Sequence, residues 1–310
     1  MNSNPLKSHL SRRQCLGLAG SLALSGFLNI AKAQKQPLFF GLDFSPYIDD
    51  QSPERSGRIS ELQIRERLKI IRLYTSWVRT YGVGSGLEKV GKVAHKMSLK
   101  AAIGVWLGRS KEANAAQMEA GIACARGGAA DMLVIGSETL LRQDLKTEEL
   151  CAYLAQARRA LPKTIPVTTG DGYAQISGNG ELADNLDVFF YNDYPYWGGV
   201  SAQQAVARMD EHYRDLKEQA GDKPVWISEH GWPTAGEAVG KAEATRENAA
   251  EYLSAFVRWS TENHVNAFMF EAFDEQWKSV HEGERGAHWG VWEAEGRIKE
   301  TYAGLVSGRP

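Results

Sequence analysis

Apolar residues in this chain gather in short runs, each closed by a turn-forming or charged residue and followed by a stretch with helical spacing. The runs at 38–44, 77–81, 100–106, 131–136, 166–169, 187–191, 224–228 and 267–270 predict eight strands. Between the first two, Ser60 and Gln63 form a capping-box pair ahead of Ile64, Leu68 and Ile71 on one helical face. Leu150, Leu154, Ala157 and Leu161 mark a helix after the fourth strand. Ser201 and Gln204 cap another that buries Val206, Met209, Tyr213 and Leu216, and Leu253, Phe256 and Val257 mark one before the eighth strand. Eight strands alternating with helices predict an α/β fold, a (β/α)8 TIM barrel in a single domain spanning 34–310. A doubly wound open sheet is the alternative, but no Gly-rich phosphate loop follows the first strand.

Residues 1–33 stand apart from this pattern. Ser11-Arg12-Arg13-Gln14-Cys15 precedes an apolar, small-residue run over 16–30, which ends in Ala31-Lys32-Ala33. Basic region, apolar core and small-x-small end predict an export signal of twin-arginine type, removed to leave a periplasmic or secreted protein with no membrane attachment. An uncleaved anchor is the alternative, although the run is short for a membrane span.

The 310 residues are 43% hydrophobic and 24% charged, with a net charge of -2. That balance supplies a large core and argues against nucleic acid or anionic membrane as the main partner. Cys124 and Cys151 are left to pair in an oxidising compartment or to stand as separate buried thiols. Neither belongs to a His/Cys cluster with metal spacing, so no metal or cofactor is expected. A monomer is the expected state.

Two apolar runs end in glutamate: Met132-Leu133-Val134-Ile135-Gly136-Ser137-Glu138, and Val225-Trp226-Ile227-Ser228-Glu229 before His230-Gly231-Trp232-Pro233. Rigid carboxylates at two strand ends are what a glycosidase needs, one as acid/base and one as nucleophile. His230, next to Glu229 on a strand, faces the other way.

Six segments in order resemble glycoside hydrolase family 17, whose members act on β-1,3-glucans, with details closer to its bacterial members. They are Phe44-Ser45-Pro46-Tyr47, Val78-Arg79-Thr80-Tyr81, Gly136-Ser137-Glu138, Asn192-Asp193-Tyr194-Pro195-Tyr196, Ser228-Glu229-His230-Gly231-Trp232-Pro233 and Phe270-Glu271-Ala272-Phe273-Asp274-Glu275-Gln276-Trp277-Lys278. The resemblance implies a retaining enzyme with Glu138 as acid/base and Glu229 as nucleophile, its carboxyl groups about 5–5.5 Å apart. The implied partner is a β-glucan oligosaccharide or polysaccharide, which the enzyme either hydrolyses or transfers to another sugar.

One position departs from the family pattern. Where the family usually has an asparagine that binds the hydroxyl beside the anomeric carbon, this chain has Ser137, a shorter donor and acceptor. The replacement is open to compensation by Asn192, and it motivates a rival reading in which the barrel only binds glucan. Tyr194 is placed either to orient Glu229 or to pack in the core. Glu275 and Lys278 are expected near the cleft, with a solvated ion pair as the alternative. Tyr47 and Arg79 lie at strand ends, to contact sugar or support the glutamates. Of Trp106, Trp197, Trp232 and Trp277, all at strand ends or in loops, Trp197 and Trp277 are the favoured sugar platforms, and Trp232 is a further substrate-binding candidate.

Overall fold

A computed structural model describes residues 37–55 and 57–307, so the export-signal segment and any cleavage after residue 33 lie outside the described residues. Eight parallel strands close into a barrel in sequence order. They are β1 (Phe39–Asp43), β2 (Thr75–Arg79), β3 (Lys100–Val105), β4 (Met132–Ser137), β5 (Val167–Gly172), β6 (Phe189–Asn192), β7 (Val225–His230) and β8 (Ala267–Met269). All eight expected strands are present. β2 begins two residues earlier than its apolar run suggested, because Thr75 pairs with Phe39 of β1.

Helices Glu61–Ile71, Lys111–Arg126, Thr147–Ala160, Ala202–Ala220 and Arg246–Glu262 make the thick parts of the outer layer. After β5 that layer thins to two short helices, Tyr173–Ile176 and Gly180–Asn185. Ser60 caps its helix by accepting from the Gln63 N–H at 3.1 Å. The reciprocal half of the expected capping box is missing, since the Gln63 side chain turns instead to Pro46 and Gln51. Ser201 also departs from expectation, with its carbonyl rather than its hydroxyl accepting from the Gln204 N–H.

Strand alternation sorts the barrel interior into layers. Phe40, Trp77, Trp226, Phe190 and Phe268 fill its lower part. Their ring centroids meet at 5.1–5.9 Å along Phe40–Trp226, Trp77–Trp226, Phe190–Phe268 and Phe40–Trp77. Such pairs contribute about 0.5–1.5 kcal/mol each beyond their buried area. One step up, the inward positions become charged: Asp43 on β1, Arg79 on β2 and Glu229 on β7, all buried. Gly170 on β5 makes room for this layer, because a Cβ there would lie 2.8 Å from an Arg79 Nη2 atom. A dry aromatic plug therefore supports a polar layer that opens at the carboxyl ends of the strands.

Candidate active site

Glu138 is the first residue beyond β4, and its backbone is left-handed at φ 53°. That conformation is uncommon for a side-chain-bearing residue and persists where surrounding contacts enforce it. Its N–H donates to the Gly170 carbonyl at 2.7 Å. The Asp171 carboxylate accepts the next free amides, from Leu140 at 2.8 Å and Leu141 at 3.2 Å. Gly136, at φ 79°, permits the approach of Thr139, whose methyl would lie 2.8 Å from an added Cβ.

Glu229 lies within β7, one residue from its end. Tyr191 pairs with Ile227 but Asn192 with Glu229, so β7 carries one residue more than β6 at Ser228. β4 carries one residue more than β5 between Val134 and Ser137. Each glutamate thus follows a bulge, a device that re-aims side chains at the rim of a barrel. Both line one cleft of about 810 Å³, with walls that include Tyr47, Tyr81, Trp106, Trp197, Trp277 and Lys278.

The two carboxyl groups have different surroundings. Glu229 Oε1 accepts from Arg79 Nη1 at 2.6 Å and from the Ser137 hydroxyl at 3.3 Å, while Oε2 accepts from the Tyr194 hydroxyl at 2.8 Å. Three donors, one of them a buried cation, converge on this carboxyl group. Arg79 also reaches Asp43, the Ser228 carbonyl and the Ser137 hydroxyl at 3.0–3.2 Å. Burial holds the Asp43 carboxyl well above the usual range despite Arg79.

Glu138 has no cation of this kind. Burial, and then the nearby charge of Glu229, raises its carboxyl to about 7, against a hydrogen bond from Asn192 Nδ2 at 2.8 Å. Asn192 is itself oriented by the Ser228 hydroxyl, which donates to its Oδ1 at 2.5 Å. The two carboxyl groups thus differ in their partners, a buried guanidinium at Glu229 and a neutral amide at Glu138.

Beyond β8, Lys278 pairs with Glu271 and, at 2.7 Å, with Glu275, all three buried. Burial pushes Glu271 well above its ordinary range, more than Lys278 offsets. At Glu275 burial acts the same way, but Lys278 and Glu271 outweigh it and hold the carboxyl low. The Tyr81 hydroxyl is buried without a hydrogen-bond partner, and Tyr81, Glu275 and Trp277 all line the cleft. Among the described residues no group of three or more His, Cys, Asp and Glu side chains is arranged to hold a metal ion.

A family model for the BtgE/BtgC glycoside hydrolase domain matches residues 41–290. The chain belongs to that family. It is 25% identical over 260 residues to a glucan 1,3-beta-glucosidase of Candida albicans, covering 75% of this chain and 83% of that protein. It is 29% identical over 187 residues to a glucan 1,3-beta-glucosidase of Arthroderma benhamiae, covering 54% and 59%. Among solved structures, a glycoside hydrolase family 17 beta-1,3-glucanosyltransferase from Rhizomucor miehei aligns with a TM-score of 0.75 at 25% identity, over 85% of this chain and 96% of that one. An active-site mutant of the same enzyme was solved in complex with laminaritriose. The resemblance to family 17 read from the six segments is borne out. These relatives are fungal, and the bacterial leaning of the motifs rests on the sequence alone.

Within this BtgE/BtgC hydrolase the expected site residues separate into three groups. Ser137, Tyr47, Tyr194, Trp197, Glu275, Trp277 and Lys278 line the cleft with the two glutamates. Tyr194 is fixed by its bond to Glu229, and Glu275 and Lys278 form a buried pair rather than a solvated one. Arg79 and Asn192 come to the site from beneath: both are buried, so they hold Glu229 and Glu138 and do not face the open cleft. Trp232 does not belong to the site. It is fully buried, donates from Nε1 to the Glu243 carbonyl at 2.9 Å and packs against Tyr196 and Tyr252.

His230 turns outward as expected, stacking on Phe256 at 3.6 Å, with burial pushing its pKa down to about 3. Cys124 and Cys151 are free thiols. Sequence reading gave no role to Asp43, Glu271 or Asp171. Glu271 had the same signature as the two glutamates, a carboxylate directly after an apolar strand.

Proposed function

We propose that this protein cleaves β-1,3-linked glucan with retention of configuration, through a glycosyl ester on Glu229. The opposite environments of two glutamates in one cleft carry the proposal. In the first step the Glu229 carboxylate attacks the anomeric carbon while Glu138 gives its proton to the glycosidic oxygen, and the leaving sugar departs as an alcohol. In the second, water or a sugar hydroxyl attacks that carbon, Glu138 takes the released proton and Glu229 leaves as a carboxylate. Ser137 acts here as part of the support for Glu229, its hydroxyl accepting from Arg79 and donating to the carboxylate. The β-1,3 linkage is supported by the names of the Candida and Rhizomucor relatives. Action outside the cytoplasm is supported by the signal-like pattern of residues 1–33.

Hydrolysis and transfer share the intermediate, and the glucanosyltransferase activity of the Rhizomucor enzyme favours a contribution from transfer. Incubation of the protein with laminari-oligosaccharides, with products read by mass, tests the reading. Shorter and longer products are expected; a panel in which another linkage is cut and the β-1,3 series is untouched would refute it.

The rate should also report Glu138. Its protonated form is the acid of the first step and its pKa lies at about 7. kcat/KM therefore falls as pH rises through that value. Asn192→Leu removes a donor that favours the carboxylate, so the falling limb should move to higher pH. A limb that stays in place would detach it from Glu138.

A further inference from the structure

Trp106 is 45% exposed, one of the few large apolar side chains left open in the described surface, and it lines the active cleft. Its place is built. Its backbone N–H donates to Gln117 Oε1 at 3.3 Å, and the Arg142 guanidinium lies over its ring at 4.3 Å. Arg142 is itself bolted down, donating to the Ser137 carbonyl, to the Leu107 carbonyl at 2.9 Å and to Asp144 at 2.8 Å. It thereby ties the end of β3 to the residue before Glu138. A cation stacked on one face polarises the indole and leaves the other face for a flat apolar surface.

The position within the cleft gives this platform a direction. Glu138 must meet the oxygen that joins the two sugars, since it protonates that oxygen and later deprotonates the incoming hydroxyl. The unpartnered Tyr81 hydroxyl follows β2, and Trp277 with the buried Lys278–Glu275 pair follows β8, a wall suited to the hydroxyls of the sugar held on Glu229. Trp106 and Arg142 follow β3 and β4, on the side of Glu138. We infer that Trp106, backed by Arg142, is the platform for the acceptor sugar, the glucosyl unit that takes the glycosyl group from Glu229 in place of water. The inference rests on the proposed glucan chemistry and adds to it the residue that sets the balance between transfer and hydrolysis.

The test uses a laminari-oligosaccharide donor with added laminaribiose as acceptor, and reads longer and hydrolysed products together. In Trp106→Ala the ratio of transfer to hydrolysis at fixed acceptor should fall roughly tenfold, the usual scale for removing a buried aromatic contact. The acceptor concentration for half-maximal transfer should rise alike. Trp106→Phe keeps an aromatic face and should retain most of the transfer, and equal melting temperatures would show that both variants fold. An unchanged ratio in Trp106→Ala overturns the inference, as does an active wild type that only hydrolyses at every acceptor concentration. A wild type inert toward every laminari-oligosaccharide overturns the glucan reading itself and this subsite with it.

Discussion

Glu229→Gln should lower turnover of laminari-oligosaccharides on the order of 10⁴-fold or more, the scale on which loss of a covalent nucleophile is felt. Glutamine keeps the shape and can still meet the Tyr194 hydroxyl and Arg79, so the fold should survive and the loss should fall on kcat. Glu138→Gln is expected to behave differently. Its loss of about 10²–10⁴-fold reflects proton transfer, and it should shrink when the leaving group needs no proton, as with a nitrophenolate. The pair of variants separates the two roles. If both recovered equally with the activated donor, the assignment of nucleophile and acid would be wrong.

Arg79→Met should damage both stability and rate. The guanidinium is buried beneath the cleft, with Glu229 at 2.6 Å and Asp43 at 3.2 Å, their side chains almost fully enclosed. Removing one partner of a buried ionic cluster strands the others, at a cost of about 3–5 kcal/mol. Asp43 is already held toward its neutral form, so most of the penalty falls on Glu229. The variant should unfold at distinctly lower urea concentration, and its folded fraction should turn over slowly because the nucleophile has lost the cation that positions it. Arg79→Lys should recover part of the stability but little of the rate, since an ammonium cannot reach Glu229, Asp43, Ser137 and the Ser228 carbonyl together. Wild-type activity in Arg79→Met at full folding would show that the cluster is only packing.

The barrel was legible because its signal is local. Eight apolar runs separated by helical spacing fix the strands, and a glutamate closing a run such as 132–138 points at its own role. What lies under the cleft was harder to read, because its meaning depends on closure of the barrel. In the sequence Arg79 stands between contacting sugar and supporting the glutamates, and Asn192 reads as sugar-binding; closure brings each against a glutamate from a different strand. Asp43 and Glu271 were passed over because a single carboxylate near a strand end is common until its neighbours are known.

Trp232 shows the opposite failure. Its Gly-Trp-Pro setting after β7 reads as a loop at the cleft, but the chain turns back under the Tyr196 and Tyr252 rings. Trp106 was visible as a tryptophan at the end of a strand. Its pairing with Arg142, from a different loop, was not.

The account stands most directly on a covalent bond to Glu229. A laminaribioside carrying fluorine at carbon 2 and an activated leaving group slows the second step more than the first, so the glycosyl-enzyme accumulates. Intact mass followed by peptide mapping should show one added disaccharide, on the peptide and at the position of Glu229, and none in Glu229→Gln. An unlabelled protein that still releases the leaving group, or a label on any other residue, would contradict the account.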